Sequence, residues 1–183
     1  MSTELVDRAR AGDHAAFEQL AAAAIDRLYA LAARVLRDQL AAEDAVQEAL
    51  LHAWRDIRAL RDPSRWEAWL YRLLLNACRD EQRRRRRRPV AVVTNLAERV
   101  ATEDSVEAVA RRDELERGLK RLTVDQRMAL AMHYYLDLRP GEIANLLGIP
   151  EGTVTSRIHY GSRALRAAVE ADLRTVVTSG AVE

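Results

Sequence analysis

The sequence predicts an all-α protein made of two small helical domains joined by a linker. Alanine, leucine and arginine dominate its 183 residues, whereas there are only 7 glycines, 4 prolines and 1 phenylalanine, a mixture that favours helix over strand. Apolar residues recur at three- and four-residue steps over several segments, which is the spacing of amphipathic helices. This periodicity fades between residues 89 and 110, so we place the linker there.

The first domain, residues 1–88, is predicted from three amphipathic segments. Asp13 can cap a helix with apolar side chains at helical spacing, and residues 42–58 repeat that pattern. The segment Arg-Asp-Pro-Ser at 61–64 breaks the periodicity, and a third helix is expected from about Arg65 to Arg88. We expect its inward side chains to be Trp66, Trp69, Leu70, Leu73, Leu74 and Ala77.

The second domain, residues 111–175, is expected to hold four helices and to be followed by a tail at 176–183. Thr123 with Gln126 has the sequence of a capping box, and Pro140 suits the first position of the helix after it. The last two of these helices are predicted to form a helix–turn–helix.

The helix–turn–helix prediction depends on three anchor positions. Ala144 is small where the two helices would cross, Gly148 can adopt a positive φ in the turn, and Val154 can lock the second helix with an apolar contact. Any two tightly packed helices have the same needs. DNA binding is nevertheless favoured, because the second helix is polar and rich in hydroxyl groups on the face opposite Val154. The side chains that could reach a major groove are Thr153, Thr155, Ser156, His159, Tyr160 and Arg163.

Positive charge is concentrated in the third helix of the first domain. Residues 61–88 carry 10 basic and 4 acidic side chains, whereas residues 1–60 carry 7 and 10. Five of the polar side chains fall within about 60° of one another on a helical projection and form what we call the basic stripe: Arg65, Arg72, Asn76, Arg79 and Arg83. The run Arg83–Arg88 extends it. A solvated helix end or a localisation signal is the alternative, but the ordered stripe favours contact with nucleic acid phosphates.

Aromatic residues surround the break at 61–64. We expect Trp54 and Trp69 to pack in the core, and Tyr71 lies beside them in the sequence. Trp66 follows the break at 61–64. The sequence is equally compatible with a core position for it and with an exposed position, where it could stack on an unpaired base.

The second helix has an exposed face opposite Val46 and Ile57. It carries a leucine framed by polar and acidic side chains, namely Asp44, Gln47, Glu48 and Leu51. Such a face is compatible with protein docking, although a single exposed leucine is ordinary in soluble proteins.

The sequence offers no chemistry for catalysis. Cys78 is a single cysteine, and no glycine-rich phosphate loop or catalytic triad spacing is present. The histidines are too scattered for a zinc site: His14, His52, His133 and His159. We therefore expect a protein with no enzymatic activity, no metal and no cofactor. No apolar run is long enough to span a membrane and the first ten residues lack a signal-peptide core, so we expect a cytoplasmic protein without membrane insertion.

Four separated motifs resemble the extracytoplasmic-function (group 4) sigma factors of bacterial RNA polymerase. The motifs are Ala-Gly-Asp-His-Ala-Ala-Phe at 11–17, Ala-Glu-Asp-Ala-Val-Gln-Glu-Ala-Leu-Leu-His-Ala-Trp at 42–54, Trp-Leu-Tyr-Arg at 69–72 and Gly-Thr-Val-Thr-Ser-Arg-Ile-His at 152–159. Asn76, Asp80 and Glu81 also match. The resemblance covers both domains in order, which a helix–turn–helix alone would not.

The resemblance implies a role for each surface. Asp44, Gln47, Glu48 and Leu51 would dock on the clamp helices of the largest subunit of core RNA polymerase. The basic stripe, with Trp66, would bind the melted −10 element of promoter DNA. The −35 element would be read by Thr153, Thr155, Ser156, Arg157, His159 and Arg163. Relatives of this kind are often held inactive by an anti-sigma factor, so such a partner is expected too.

Two other classes of protein remain as alternatives. A free-standing helix–turn–helix regulator would bind palindromic DNA as a dimer without polymerase. An RNA-binding or anti-termination protein would use the arginine run and would need no helix–turn–helix.

Overall fold

The computed structural model describes residues 3–87 and 117–179, with side chains described as far as residue 167. Every regular element within these ranges is helical, which confirms the predicted all-α fold. The chain divides into two compact units. The proposed linker, residues 89–110, lies outside the described residues, as does Arg88.

The first unit contains four α-helices and two short 3₁₀ turns. In chain order the helices are α1 (Thr3–Arg10), α2 (His14–Leu36), α3 (Gln39–Asp56) and α4 (Trp66–Arg87), with the turns Ile57–Ala59 and Pro63–Arg65 between α3 and α4. Helix α1 was not predicted from the sequence. It is only eight residues long, and it buries just Val6 and Ala9, so its apolar pattern is too short to stand out.

Aspartates fix where the helices of the first unit begin. Asp13 accepts a hydrogen bond from the backbone N–H of Ala16 at 3.1 Å and caps α2, as predicted. That bond and the hydrogen bonds from Arg8 hold the pKa of the Asp13 carboxyl below its ordinary value. Asp38 caps α3 in the same way, through the N–H of Ala41 at 2.9 Å.

An aromatic cluster joins α2, α3 and α4. The ring of Phe17 lies 5.0 Å from that of Trp54 and 6.1 Å from that of Trp66, and Trp66 in turn lies 5.7 Å from Trp69. These distances are typical of favourable tilted and edge-on aromatic pairs. Trp54 and Trp69 are half-buried and pack in this cluster. The remainder of the core is aliphatic and includes Leu20, Leu28, Leu31, Leu70, Leu74 and Leu75.

The remaining helices are α5 (Val124–Tyr134), α6 (Pro140–Leu147) and α7 (Glu151–Ser179), and residues 117–121 before α5 are also helical. All of them belong to the second unit except the end of α6, which belongs to this unit only as far as Ala144. Thr123 and Gln126 form the predicted capping box, with both of its hydrogen bonds present. Pro140 begins α6, as expected. The backbone of α7 stays helical to Ser179, within the segment predicted as a tail at 176–183.

A glycine sets how closely α7 approaches α5. A Cβ placed on Gly161 would lie 3.0 Å from Cδ1 and 3.3 Å from Cγ of Leu130, closer than side chains ordinarily pack. Gly161 therefore lets the two helices meet. Gly161 was not predicted as a packing residue, because helical periodicity does not distinguish a glycine that packs from one that does not. The buried residues of the second unit include Met128, Met132, Ile143 and Val154.

None of the helices that the structure describes is long and apolar enough to cross a membrane. Over the same residues, no group of three or more His, Cys, Asp or Glu side chains lies close enough together to hold a metal ion.

Candidate nucleic-acid and protein interfaces

The outward face of α3 carries two widely exposed leucines. Leu51 is 68 % exposed, and Asp44 and Gln47 beside it are exposed as well. Leu40, near the start of the same helix, is 67 % exposed and was not among the predicted residues. It falls on the same side as Leu51, about 16 Å further along the helix axis. Two exposed leucines with polar side chains between them make a stronger docking surface than the single leucine expected from the sequence.

Glu48 differs from the other residues predicted for this face. Its carboxylate is half-buried and accepts two hydrogen bonds from the guanidinium of Arg84 on α4, at 3.0 and 3.1 Å. The hydrogen bond to Glu48 raises the pKa of Arg84 above its already high ordinary value. Glu48 therefore lies at the edge of the docking face and is engaged within the unit.

The basic stripe, which begins at Arg65 in the 3₁₀ turn and continues along α4, is accessible along most of its length. Arg65, Arg72, Asn76 and Arg83 are exposed, and Arg79 is half-exposed. The Asn76 side-chain oxygen accepts a hydrogen bond from Arg79 at 3.2 Å, and Arg83 pairs with Asp80 at 3.1 Å. Both contacts join residues three apart on the helix surface, where hydrogen bonds and ion pairs are weak and easily exchanged for other partners. From Arg72 to Arg83 the stripe extends about 16 Å, or several nucleotides of a single strand.

Trp66, a candidate to stack on an unpaired base, is buried in this structure. Its side chain is only 2 % exposed, because it is held at the start of α4 between Phe17 and Trp69. A base could reach its ring only if the aromatic cluster opened. The sequence was equally compatible with a core position and an exposed position for Trp66, and the structure has the core position.

The run Arg83–Arg88 is not the uniform extension of the stripe that the sequence suggested. Besides the contact of Arg84 with Glu48, Arg85 pairs with the buried carboxylate of Asp38 at 2.5 Å. Both arginines therefore point back toward α3. Arg86 and Arg87 are exposed, and no carboxylate among the described residues is paired with either of them.

The three anchors of the helix–turn–helix are confirmed. Ala144 and Val154 are buried, and Gly148 adopts a φ of +64° in the turn between α6 and α7. The N–H of Ile149 donates to the carbonyl of Ala144 at 3.1 Å, which closes the end of α6. The polypeptide turns here because glycine takes the left-handed conformation without a steric penalty.

The outward face of α7 presents polar and basic side chains. Thr155, His159 and Arg163 are exposed, and Arg166 continues the same face. Arg166 was missed by the sequence analysis, although its position three residues beyond Arg163 would have placed it there. Tyr160 is also exposed, on a neighbouring side of the helix.

The hydroxyl groups at the start of α7 are partly committed to the helix itself. Thr153 and Ser156 are half-buried, and the Ser156 hydroxyl donates to the carbonyl of Thr153 at 2.9 Å. The Thr155 hydroxyl donates to the carbonyl of Glu151 at 3.1 Å. Each hydroxyl retains lone pairs that can accept a hydrogen bond from a base.

Arg157, which was predicted to contact DNA, pairs with another helix in this structure. Arg157 is half-buried, and its guanidinium pairs with Asp125 of α5 at 3.1 Å. It lies on the flank of α7 that packs against α5, about 60° from Val154, so it joins the two helices rather than facing outward.

Two family models match the chain in succession. Sigma-70 region 2 matches residues 20–88, and sigma-70 region 4 matches residues 112–165. The first match covers α4 and most of the rest of the first unit. The second covers the helix–turn–helix.

Relatives match over both units. The ECF RNA polymerase sigma factor SigL of Mycobacterium tuberculosis is 38 % identical over 142 residues, which cover 76 % of this chain and 80 % of SigL. The ECF RNA polymerase sigma factor SigW of Bacillus subtilis is 30 % identical over 180 residues, covering 91 % of this chain and 95 % of SigW. The structure of CnrH in complex with the cytosolic domain of CnrY is similar to this one with a TM-score of 0.67 and 26 % identity, covering 93 % of this chain and 97 % of that one.

Proposed function

The chain belongs to the extracytoplasmic-function sigma factors of RNA polymerase, and from this premise we propose what each of its surfaces binds. As a sigma factor it directs RNA polymerase to promoters and initiates transcription there. We assign residues 1–88 to polymerase docking and the −10 element, residues 111–175 to the −35 element, and residues 89–110 to the connection between them. The observation that carries this division is the accessible basic stripe on α4, in the same unit as the exposed leucines of α3.

The outward face of α3 is proposed to dock on the clamp helices of the largest polymerase subunit. Leu40 and Leu51 supply apolar contact area, while Asp44 and Gln47 supply charge and hydrogen bonds between them. Interfaces of this kind concentrate binding energy in a few apolar anchors surrounded by polar groups. Glu48 contributes at the edge of this face.

The basic stripe is proposed to hold the backbone of the melted −10 strand. Guanidinium groups neutralise phosphates and form hydrogen bonds with them, and Asn76 lies in the middle of the stripe where a base edge could be read. With Trp66 buried, stacking on that ring is not part of the proposal.

The outward face of α7 is proposed to read the −35 element in the major groove. Thr155, His159 and Arg163 are the exposed candidates, and Arg166 extends their reach toward the phosphates. Ser156 and Thr153 remain candidates at the start of the helix. Arg157 acts through α5 instead, by holding α7 in place.

Run-off transcription tests the proposal most directly. Purified chain added to core polymerase should give transcripts from a subset of a promoter pool, and core polymerase alone should not. The variant Asp44→Ala with Leu51→Ala should lose co-elution with core polymerase but keep its helicity, because both side chains are exposed. Unchanged co-elution would show that α3 is not the docking face.

Promoter DNA separates the two proposed recognition surfaces. His159→Ala should change base preference in the −35 element, whereas Arg72→Gln should weaken binding to all sequences and reduce its salt dependence. If Arg72→Gln changed −35 base preference, the assignment of the two surfaces would be wrong.

Partners and location follow from the family. We propose that an anti-sigma factor holds the chain inactive, since the similar protein CnrH was solved with the cytosolic domain of CnrY. We also propose that the chain works in the cytoplasm and has no catalytic activity of its own. The free-standing dimeric regulator is not favoured, because the region 2 match and the α3 face have no role in such a protein.

A further inference from the structure

The last part of α4 extends beyond the hydrophobic core. Its final buried residue is Cys78, and no residue from 79 to 87 is buried. Two and a half turns of helix thus lie beside α3 without the apolar burial that holds most helices in place. Something other than the core must set their direction.

Arg84 supplies one contact with α3. Both of its terminal nitrogens donate to the two carboxylate oxygens of Glu48, at 3.0 and 3.1 Å, in the two-pronged geometry that fixes an arginine in direction as well as distance. Glu81, one turn before Arg84 on α4, lies 3.7 Å from the same guanidinium. The side chains of Arg84 and Glu48 are 54 % and 25 % exposed, so solvent screens this pair more than it would a buried one.

Arg85 supplies a second contact, at the junction of α2 and α3. Its guanidinium reaches Oδ2 of Asp38 at 2.5 Å, while Oδ1 of the same carboxylate caps α3 through the N–H of Ala41. The Asp38 side chain is only 8 % exposed. A carboxylate buried to this extent requires a positive partner, so Arg85 is more firmly committed than Arg84.

We propose that the arginine run is divided into two classes, in which Arg84 and Arg85 are positioning residues that hold the end of α4 on α3, and Arg83, Arg86 and Arg87 are the residues that meet phosphate. This inference rests on the proposed function of the basic stripe and deepens it. By fastening the helix end, the two ion pairs fix the direction in which the stripe faces. Glu48 thereby links the polymerase-docking helix to the DNA-binding helix.

Phosphate is a poor competitor for the two positioning arginines. To bind a phosphate, Arg85 would have to leave Asp38 unpaired in a buried site, and Arg84 would have to give up a two-pronged contact with a half-buried carboxylate. Arg86 and Arg87 have no such contact with a described residue. The chain therefore favours phosphate contact at these exposed positions.

Amide hydrogen exchange on the full chain tests the positioning contacts. Arg84→Gln should speed exchange of the amides of residues 79–87 by roughly two- to fivefold, and Arg85→Gln by roughly tenfold. Arg86→Gln and Arg87→Gln are matched controls that remove the same charge from the same helix, and they should leave this exchange unchanged. Glu48→Gln should match Arg84→Gln, and the double variant should go no further, because the two changes remove one shared contact.

Salt dependence on the same variants tests the phosphate contacts. The probe is a fluorescein-labelled oligo(dT) strand, and the slope of log Kobs against log[NaCl] is measured for each variant. Arg86→Gln and Arg87→Gln should each lower the magnitude of the slope by about 0.7, whereas Arg84→Gln and Arg85→Gln should leave it unchanged.

Two outcomes would distinguish failure of the positioning contacts from failure of the phosphate contacts. If Arg84→Gln and Arg85→Gln lowered the slope and left amide exchange unchanged, both would be phosphate contacts and the inference would be overturned. If no arginine variant changed the slope while the exchange results were as expected, the positioning contacts would stand and the proposed binding of single-stranded DNA by this part of α4 would be wrong.

Discussion

Single residues are constrained here by the backbone as much as by their contacts. Gly148 has a φ of +64°, and a Cβ added to it would meet nothing within 4 Å. Space is therefore available for a side chain, but the left-handed conformation is not favourable for one. At Gly152, where φ is ordinary and the surroundings are equally open, no such constraint applies.

These two glycines give the first prediction. Gly148→Ala should lower the free energy of unfolding by about 1–2 kcal/mol, and Gly148→Asn by less, because asparagine tolerates the left-handed conformation better. Gly152→Ala is the control and should be neutral or slightly stabilising within its helix. Urea unfolding followed by circular dichroism measures all three variants. Equal effects at the two positions would show that the turn does not need glycine.

Cys78 gives the second prediction. Burial raises the pKa of its thiol from 9.0 to about 12. Because the folded state then binds the proton more tightly than the unfolded state, this contribution to stability is complete below pH 9 and is lost as the pH rises toward 12. Unfolding measured from pH 8 to 11 should show a decline of at most about 1.4 kcal/mol per pH unit from this group, and Cys78→Ala should lack that part of the decline. An identical alkaline decline in both proteins would contradict the raised pKa.

At the scale of helices, the second unit depends on the close packing of α7 against α5. Gly161 permits the approach, while the pair of Arg157 with Asp125 and the buried Val154 hold it. The face of α7 that packs and the face proposed to read DNA are therefore set by the same contact. A change in the packing would alter the direction of the reading face.

The third prediction concerns this contact. Gly161→Val should destabilise the second unit by about 1–3 kcal/mol, because its side chain would overlap Leu130, which is itself buried. It should also weaken −35 recognition without changing any exposed side chain. Gly161→Val with Leu130→Ala is the matched variant, since the smaller partner leaves room for the added methyl groups. Thermal unfolding and a promoter-binding titration measure both effects. If Leu130→Ala restored none of the stability lost by Gly161→Val, the destabilisation would not come from overlap with Leu130.

At the scale of the whole molecule, two DNA-reading units gain specificity only when both bind together. The proposed linker has 22 residues, which span at most about 70–80 Å when fully extended. A linker that allows so wide a range of separations between the two units cannot fix the distance between two promoter elements. We therefore propose that a polymerase surface holding both units sets this distance.

The fourth prediction follows from that division. Adding about 5 bp between the −35 and −10 elements should abolish polymerase-dependent initiation, because half a helical turn places the elements on opposite faces of the duplex. Inserting a few Gly-Ser residues within 95–105 should leave the preferred promoter spacing unchanged. Run-off transcription from a series of spacer lengths measures both. A preferred spacing that shifted with linker length would show that the chain itself sets the distance.

The sequence by itself determined the helical class, the two-part organisation and the local signals within the helices. Caps and turns such as Asp13, Thr123 and Gly148 are determined by neighbours a few residues away, so their structure can be predicted from the local chain alone. The exposed stripe on α4 was predictable for a similar reason, because helical spacing alone places its members on one face.

Only the tertiary structure decided which of several equivalent side chains face inward or pair with another helix. Arg84 and Arg85 look no different in sequence from Arg86 and Arg87, yet their partners Glu48 and Asp38 lie 36 and 47 residues away. Trp66 is buried for the same reason, since its neighbour Phe17 is brought to it by α2. Contacts between residues so distant in sequence depend on how the helices pack, and helical periodicity carries no information about that packing.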